Sequence, residues 1–190
     1  MKVGVLGGSF DPIHFGHLRA AESAREALGL GLVLFIPAAE PPHKAKGELS
    51  APEERLAMVR LAIRSNPAFG ASDLEVRREG PSYTVDTLLA LKSERTGDEL
   101  FLIVGSDTLP EMASWREPQR LFALCTVAVV GRPGARALPG PAGARTVAVA
   151  GPELPLSATA VRERARAGQS VRYLVPDLVA DYIEERRIYR

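Results

Sequence analysis

Apolar and polar residues follow two rhythms along this chain. Short apolar runs of strand length occur at Val3, Val5 and Leu6, at 32–36 (LVLFI), 99–104 (ELFLIV), 126–130 and 146–150 (TVAVA). Between them, apolar residues recur at three- and four-residue steps. Leu18, Ala21, Ala24 and Leu28 form one such stripe. Leu56, Val59 and Ile63 form a second, and Val85, Leu88 and Leu89 a third. A shorter helical piece spans 118–123. Two more helices close the chain, one from Ser157 to about Ala167, ended by Gly168, and one with Leu178, Val179, Tyr182 and Ile183 on one face. Ser50 with Glu53 fits a capping box and Pro52 suits a first helical turn. Leu74 and Val76 alternate with Asp73, Glu75 and Arg77, which predicts a short strand with one wet face. Residues 132–145, rich in Gly, Pro and Ala, read as a mobile connecting loop.

Strands alternating with helices predict an α/β fold: a doubly wound, mostly parallel sheet with flanking helices, formed by residues 1–190 as a single domain. Ligands of such sheets bind beyond the carboxyl ends of the strands. Three polar clusters directly follow predicted strands and are expected to meet there: residues 7–17, His43-Lys44, and Gly105-Ser106-Asp107.

Composition narrows the function classes. Hydrophobic content of 46%, charged content of 25% and a net charge of +1 are ordinary for a globular protein and point to neither nucleic acid nor an anionic membrane. The lone Cys125 lies in an apolar run, reads as a buried small hydrophobe and excludes an internal disulfide. No apolar run reaches membrane-spanning length and no signal peptide is recognised, so a cytoplasmic protein is expected. Oligomeric state is left open, a homo-oligomer included.

The chemistry concentrates in the first strand and the turn after it, GGSFDPIHFGH. Strand, glycine turn and helix start place main-chain N–H groups and a helix dipole beside the strand end, a geometry suited to anions. His14 and His17, three apart, project from one side of the first helical turn. Lys44 is a point charge suited to phosphate. Asp107 reads either as a ribose acceptor or as a helix cap. Thr84 lies at a helix start that can receive a carboxylate, and Trp115 either stacks on a flat ring or fills core. Ser157, Thr159 and Arg162 suit a triphosphate, or form an ordinary N-cap with a surface arginine. Arg64, Arg77 and Arg78 read as solvated faces. With phosphate-binding groups and no obvious nucleophile, the set suits phosphoryl or nucleotidyl transfer.

The string GGSFDPIHFGH resembles the (H/T)xGH nucleotidylyltransferase superfamily. With PPHK, SYTVDTL, GSD followed by Trp115, and VPDLVADYI in order, nearly the whole chain is similar to bacterial nicotinate-nucleotide adenylyltransferases. The resemblance implies a Rossmann-like nucleotidyltransferase fold and adenylyl transfer from ATP, with Mg²⁺, to nicotinate mononucleotide. It implies that His14, His17, Lys44 and Arg162 serve catalysis and that Gly7, Gly8, Ser9, Phe10, Asp107, Ser157 and Thr159 join in holding ATP. His43, Lys44, Thr84 and Trp115 would hold the mononucleotide. Two departures stand out: Ala158 where the family often has a second Ser, and Arg116 where many members have an aromatic residue. The competing readings are a nicotinamide mononucleotide or phosphopantetheine adenylyltransferase, an inactive nucleotide-binding protein, and a nucleic-acid binding module.

Overall fold

The computed structural model describes residues 1–42, 47–131, 139–151 and 154–190. Its elements are β1 (Lys2–Gly8), α1 (Phe15–Leu28), β2 (Leu32–Pro37), α2 (Pro52–Ile63), β3 (Phe69–Ala71), α3 (Thr84–Glu94), β4 (Glu99–Gly105), a 3₁₀ turn (Leu109–Ser114), α4 (Pro118–Leu124), β5 (Thr126–Gly131), β6 (Thr146–Ala150), α5 (Ala158–Arg166) and α6 (Asp177–Glu185). The six strands form one sheet in the order β3-β2-β1-β4-β5-β6, and every pairing is parallel. Parallel neighbours need crossovers, which the helices supply, so both faces are covered and the strands read as near-continuous apolar runs.

Strand pleating splits the core in two. Leu6, Val33, Phe35, Phe101 and Ile103 pack with Ala21, Ala24, Val59, Val161 and Val179 on one face. Val3, Val5, Leu100 and Leu102 pack with Val85, Leu88, Leu91, Leu121 and Phe122 on the other. Strand order reverses between β1 and β4, which pair through their amino-terminal halves, Lys2–Val5 with Glu99–Leu102, and leave a crevice beyond that register at the topological switch point.

The structure corrects the sequence expectations at several places. Residues 73–77 are not a strand. The edge strand is Phe69–Ala71, paired with β2, and a turn in which the Arg77 N–H donates to the Asp73 carbonyl at 2.9 Å follows it. Glu75, expected on a wet face, is buried and accepts from the Thr87 hydroxyl at 2.5 Å. The Ser50–Glu53 capping box does not form. Ala51 is the N-cap, and the Ser50 N–H donates instead to Asp11 Oδ2 at 3.3 Å. Leu178 is exposed, because α6 seats Val179, Ala180 and Ile183 against the core. Arg78, read as solvated, donates to Thr87 Oγ1 at 3.2 Å. Cys125 is buried as expected, and burial pushes its thiol up to about 11.

Candidate active site

β1 ends at Gly8, and the chain turns through Ser9–Ile13 into α1, with His14 as N-cap. The His14 and His17 rings stack with centroids 3.7 Å apart and planes inclined by 24°. The backbone N–H of His14 donates to His17 Nδ1 at 3.2 Å. That bond fixes the tautomer: neutral His17 carries its proton on Nε2. Burial holds His14 down to about 4, and burial together with the neighbouring His14 holds His17 down to about 3. Both rings are therefore neutral at pH 7. His14 Nδ1 is buried without a hydrogen-bond partner. A Cβ at Gly16 would stand 2.9 Å from the His14 ring, so the glycine between the histidines makes room for the first of them. The Phe15 N–H at the start of α1 donates to the Leu174 carbonyl at 3.1 Å and is not free for an anion.

Three cavities run along the carboxyl edge of the sheet and share walls. The first, about 510 Å³, is lined by His14, Gly16, His17, Gly105, Ser106, Asp107, Ser157 and Ala158, with residues of β4 and β5 as its floor. The second, about 350 Å³, is bounded by Gly7, Gly8, Ser9, His17, Glu75, Ser82, Thr84 and Trp115. A third, about 340 Å³, is lined by Pro42, Ser82, Tyr83, Thr84, Val85, Ser114, Trp115, Arg116 and Leu121. His17 belongs to the first and second, and Pro42, Ser82, Thr84 and Trp115 to the second and third. The groove is therefore continuous, with the histidines near its middle. A Cβ at Gly7 would meet no atom of the described residues within 4 Å, and Gly7 lines the second cavity.

Most sequence candidates converge on the groove. Phe10 does not line it. Its side chain is buried, with ring centroids 5.1 Å from His17 and 5.9 Å from Phe35, and it buttresses the histidine from below. Ser157 caps α5, accepting from the Ala160 N–H at 3.2 Å. Arg162 and Thr159 stand beside the groove rather than in its walls. Arg162 Nη1 donates to the Asp11 carbonyl at 2.7 Å and Nη2 to Thr159 Oγ1 at 3.3 Å. His43 and Lys44 lie outside the described residues.

A buried network under the loop escaped sequence reasoning. Arg55, fully buried on α2, donates from Nη1 to the Ser9 carbonyl at 2.7 Å, from Nε to the Ser50 carbonyl at 2.9 Å and from Nη2 to the Ala39 carbonyl at 3.2 Å. Asp11, also buried, accepts from the Ser50 N–H and from the Tyr189 hydroxyl. The available signal was a charged residue on the apolar stripe of a helix: Arg55 stands one helical turn before Val59.

Known proteins resemble this chain in sequence and in fold. The model of the cytidylyltransferase-like family matches residues 5–164. Such a match, with the parallel sheet and its groove, defines a nucleotidyltransferase class. Relatives narrow it. A protein of Geobacter metallireducens described as "Probable nicotinate-nucleotide adenylyltransferase" is 46% identical over 100% of this chain and 98% of its own. One of Herpetosiphon aurantiacus with the same description is 47% identical over 99% of this chain and 98% of its own. The chain belongs to the nicotinate-nucleotide adenylyltransferase family. Among solved structures, the Plasmodium falciparum nicotinic acid mononucleotide adenylyltransferase complexed with NaAD superposes with a TM-score of 0.81. It is 18% identical, and the match covers 99% of this chain and 97% of that one, which establishes a shared fold.

Proposed function

We propose that this protein, acting as one nucleotidyltransferase domain, transfers the adenylyl group of ATP to nicotinate mononucleotide, forming nicotinate adenine dinucleotide and pyrophosphate. The observation that carries the reading is the continuous groove, with a phosphate-binding centre between two chambers suited to the two halves of a dinucleotide. The larger chamber, with Asp107 and Ser157, takes the adenosine and the pyrophosphate end. The aromatic chamber at Trp115 takes the pyridine ring.

An oxygen of the mononucleotide phosphate attacks the α-phosphorus of ATP, and the bond from that phosphorus to the bridging oxygen of the leaving pyrophosphate breaks in line. Catalysis then consists of positioning and of stabilising charge on the phosphoryl oxygens. The Nε2–H of His17 donates to an α-phosphate oxygen, and His14 binds beside it. Two neutral imidazoles held at low pKa gain proton affinity as anionic phosphate approaches, so they follow the charge that develops. Gly7, Gly8 and Ser9 admit the phosphates close to the main chain. Arg162, with Ser157 and Thr159, reaches the leaving pyrophosphate, and Lys44 with His43 the substrate phosphate. Among the described residues no cluster of three His, Cys, Asp or Glu side chains is built to hold a metal. Mg²⁺ would enter with the nucleotide as part of the substrate and would supply positive charge to its phosphates.

The test is pyrophosphate release with ATP and Mg²⁺, offering nicotinate mononucleotide, nicotinamide mononucleotide and phosphopantetheine side by side. Preference for the nicotinate form, lost in His17→Ala, supports the reading. No turnover with any acceptor overturns it.

A further inference from the structure

Among the described residues that line the aromatic chamber, Arg116 is the one that carries a charge. Tyr83, Val85, Trp115, Leu121 and Pro42 make the rest of it largely apolar, and none of the described lining residues is a carboxylate. The Arg116 guanidinium lies over the Tyr83 ring with its carbon 4.5 Å from the centroid. Its two acidic neighbours stand off: Asp86 Oδ2 is 3.8 Å from Nη1 and Glu117 Oε1 is 3.8 Å from Nε, both beyond hydrogen-bond reach. Glu117 is committed elsewhere, accepting from Arg120 Nη1 at 3.0 Å through its other oxygen. The guanidinium is held in place by stacking while its N–H donors remain uncommitted, and it is half-exposed.

We infer that Arg116 is a specificity-determining residue that selects an anionic over a neutral substituent on the ring bound in this chamber. The inference rests on the proposed reaction for the identity of that ring. Nicotinate and nicotinamide mononucleotide share a cationic pyridinium and differ only in carboxylate against carboxamide. A guanidinium at the chamber wall attracts the carboxylate. It also repels the pyridinium of the amide, which has no carboxylate to offset that charge. Discrimination thus has an attractive and a repulsive component. The main-chain N–H groups at the start of α3 can hydrogen-bond either substituent through its oxygen, so they discriminate less than a full charge does.

The experiment compares wild type, Arg116→Gln and Arg116→Lys, measuring kcat/KM for both pyridine mononucleotides at low and high salt. In Arg116→Gln the ratio of nicotinate to nicotinamide kcat/KM is expected to fall about tenfold, the size of a partly screened charge–charge attraction, and through KM rather than kcat. Arg116→Lys retains most of the ratio, and added salt shrinks the difference between wild type and Arg116→Gln. An unchanged ratio in Arg116→Gln, or equal losses on both substrates, overturns the inference. Equilibrium binding of the two mononucleotides to the same three proteins keeps the test separate from the reaction. If wild type turns over neither compound the proposed reaction fails, and the binding ratios still decide the role of Arg116.

Discussion

The Tyr189 hydroxyl donates to Asp11 Oδ1 across 2.7 Å, fastening the segment after α6 to the loop that carries the two histidines. Asp11 is buried, and its other carboxylate oxygen has only the longer bond from the Ser50 N–H. Tyr189→Phe therefore leaves a buried carboxylate oxygen without its short donor, at a cost of about 2 kcal/mol, or roughly 4–8 °C in Tm. Because the Asp11 carbonyl also receives Arg162, the KM for ATP is expected to rise several-fold with kcat changed less. Thermal unfolding and ATP titration check both parts; a fall in Tm with unchanged KM would confine Tyr189 to stability.

Arg55 joins three stretches of chain through the carbonyls of Ser9, Ala39 and Ser50. The first borders the central cavity, and the other two flank the loop that holds Lys44. Arg55→Met, close in length and without donors, abandons three carbonyl acceptors and is expected to destabilise by about 3 kcal/mol or more. Arg55→Lys keeps the charge without the planar fork, and its point-like ammonium cannot reproduce all three bonds. Urea midpoints should therefore rank wild type above Lys and Lys above Met. A wild-type midpoint in Arg55→Lys would show that the fork geometry does not matter.

Two glycines separate folding from binding. An alanine at Gly16 would press on the His14 ring at 2.9 Å, whereas an alanine at Gly7 would meet only the open groove. Gly16→Ala is expected to displace His14 and lower kcat tenfold or more, about 1.4 kcal/mol of transition-state stabilisation. Gly7→Ala should leave Tm within about 2 °C of wild type, because surface changes of this kind cost little. Its methyl would instead raise substrate KM. Steady-state kinetics beside thermal unfolding would check both; a large loss of Tm in Gly7→Ala would refute the open-space reading.

Elements with strong periodicity were legible in the sequence, and those set by partners were not. β1, β2, β4 and β5 are continuous apolar runs because helices cover both their faces, so period and burial agree, while β6 at the sheet edge keeps an apolar run of which only Val149 is buried. The edge strand Phe69–Ala71 is only three residues long, too short to show a period, and the alternation at 73–77 imitated one that the turn overrode. Sequence spacing placed His14, His17 and Asp107 on one edge because each lies in a stretch that directly follows a strand, and Thr84, Trp115 and Ser157, read separately, line the same groove. Asp11, Arg55 and Tyr189 lie far apart in sequence, and only tertiary packing makes them one network. No local pattern can announce a contact between residues 178 positions apart.

The stacked histidines make stability depend on pH with a definite sign. Their folded values, about 4 for His14 and about 3 for His17, lie below the ordinary histidine value of 6.5. The unfolded chain therefore binds more protons than the folded one between pH 6.5 and 3. Stability contributed by the neutral rings is fully present above pH 6.5 and is lost as pH falls through that range, by a total of several kcal/mol, on the order of 1.4 kcal/mol per unit of difference. The urea midpoint of wild type should fall from pH 7 to pH 4, and His17→Asn should show a shallower fall. Nitrogen NMR at pH 7 should find His17 protonated on Nε2 alone, because Nδ1 accepts the His14 N–H. Bound ATP brings anionic oxygens to both rings and should raise their proton affinity, so nucleotide binding near pH 5 should take up protons. Calorimetry in buffers of different ionisation enthalpy measures that uptake. Its absence would mean that the phosphates sit away from the histidines, and would remove them from the adenylyl-transfer step.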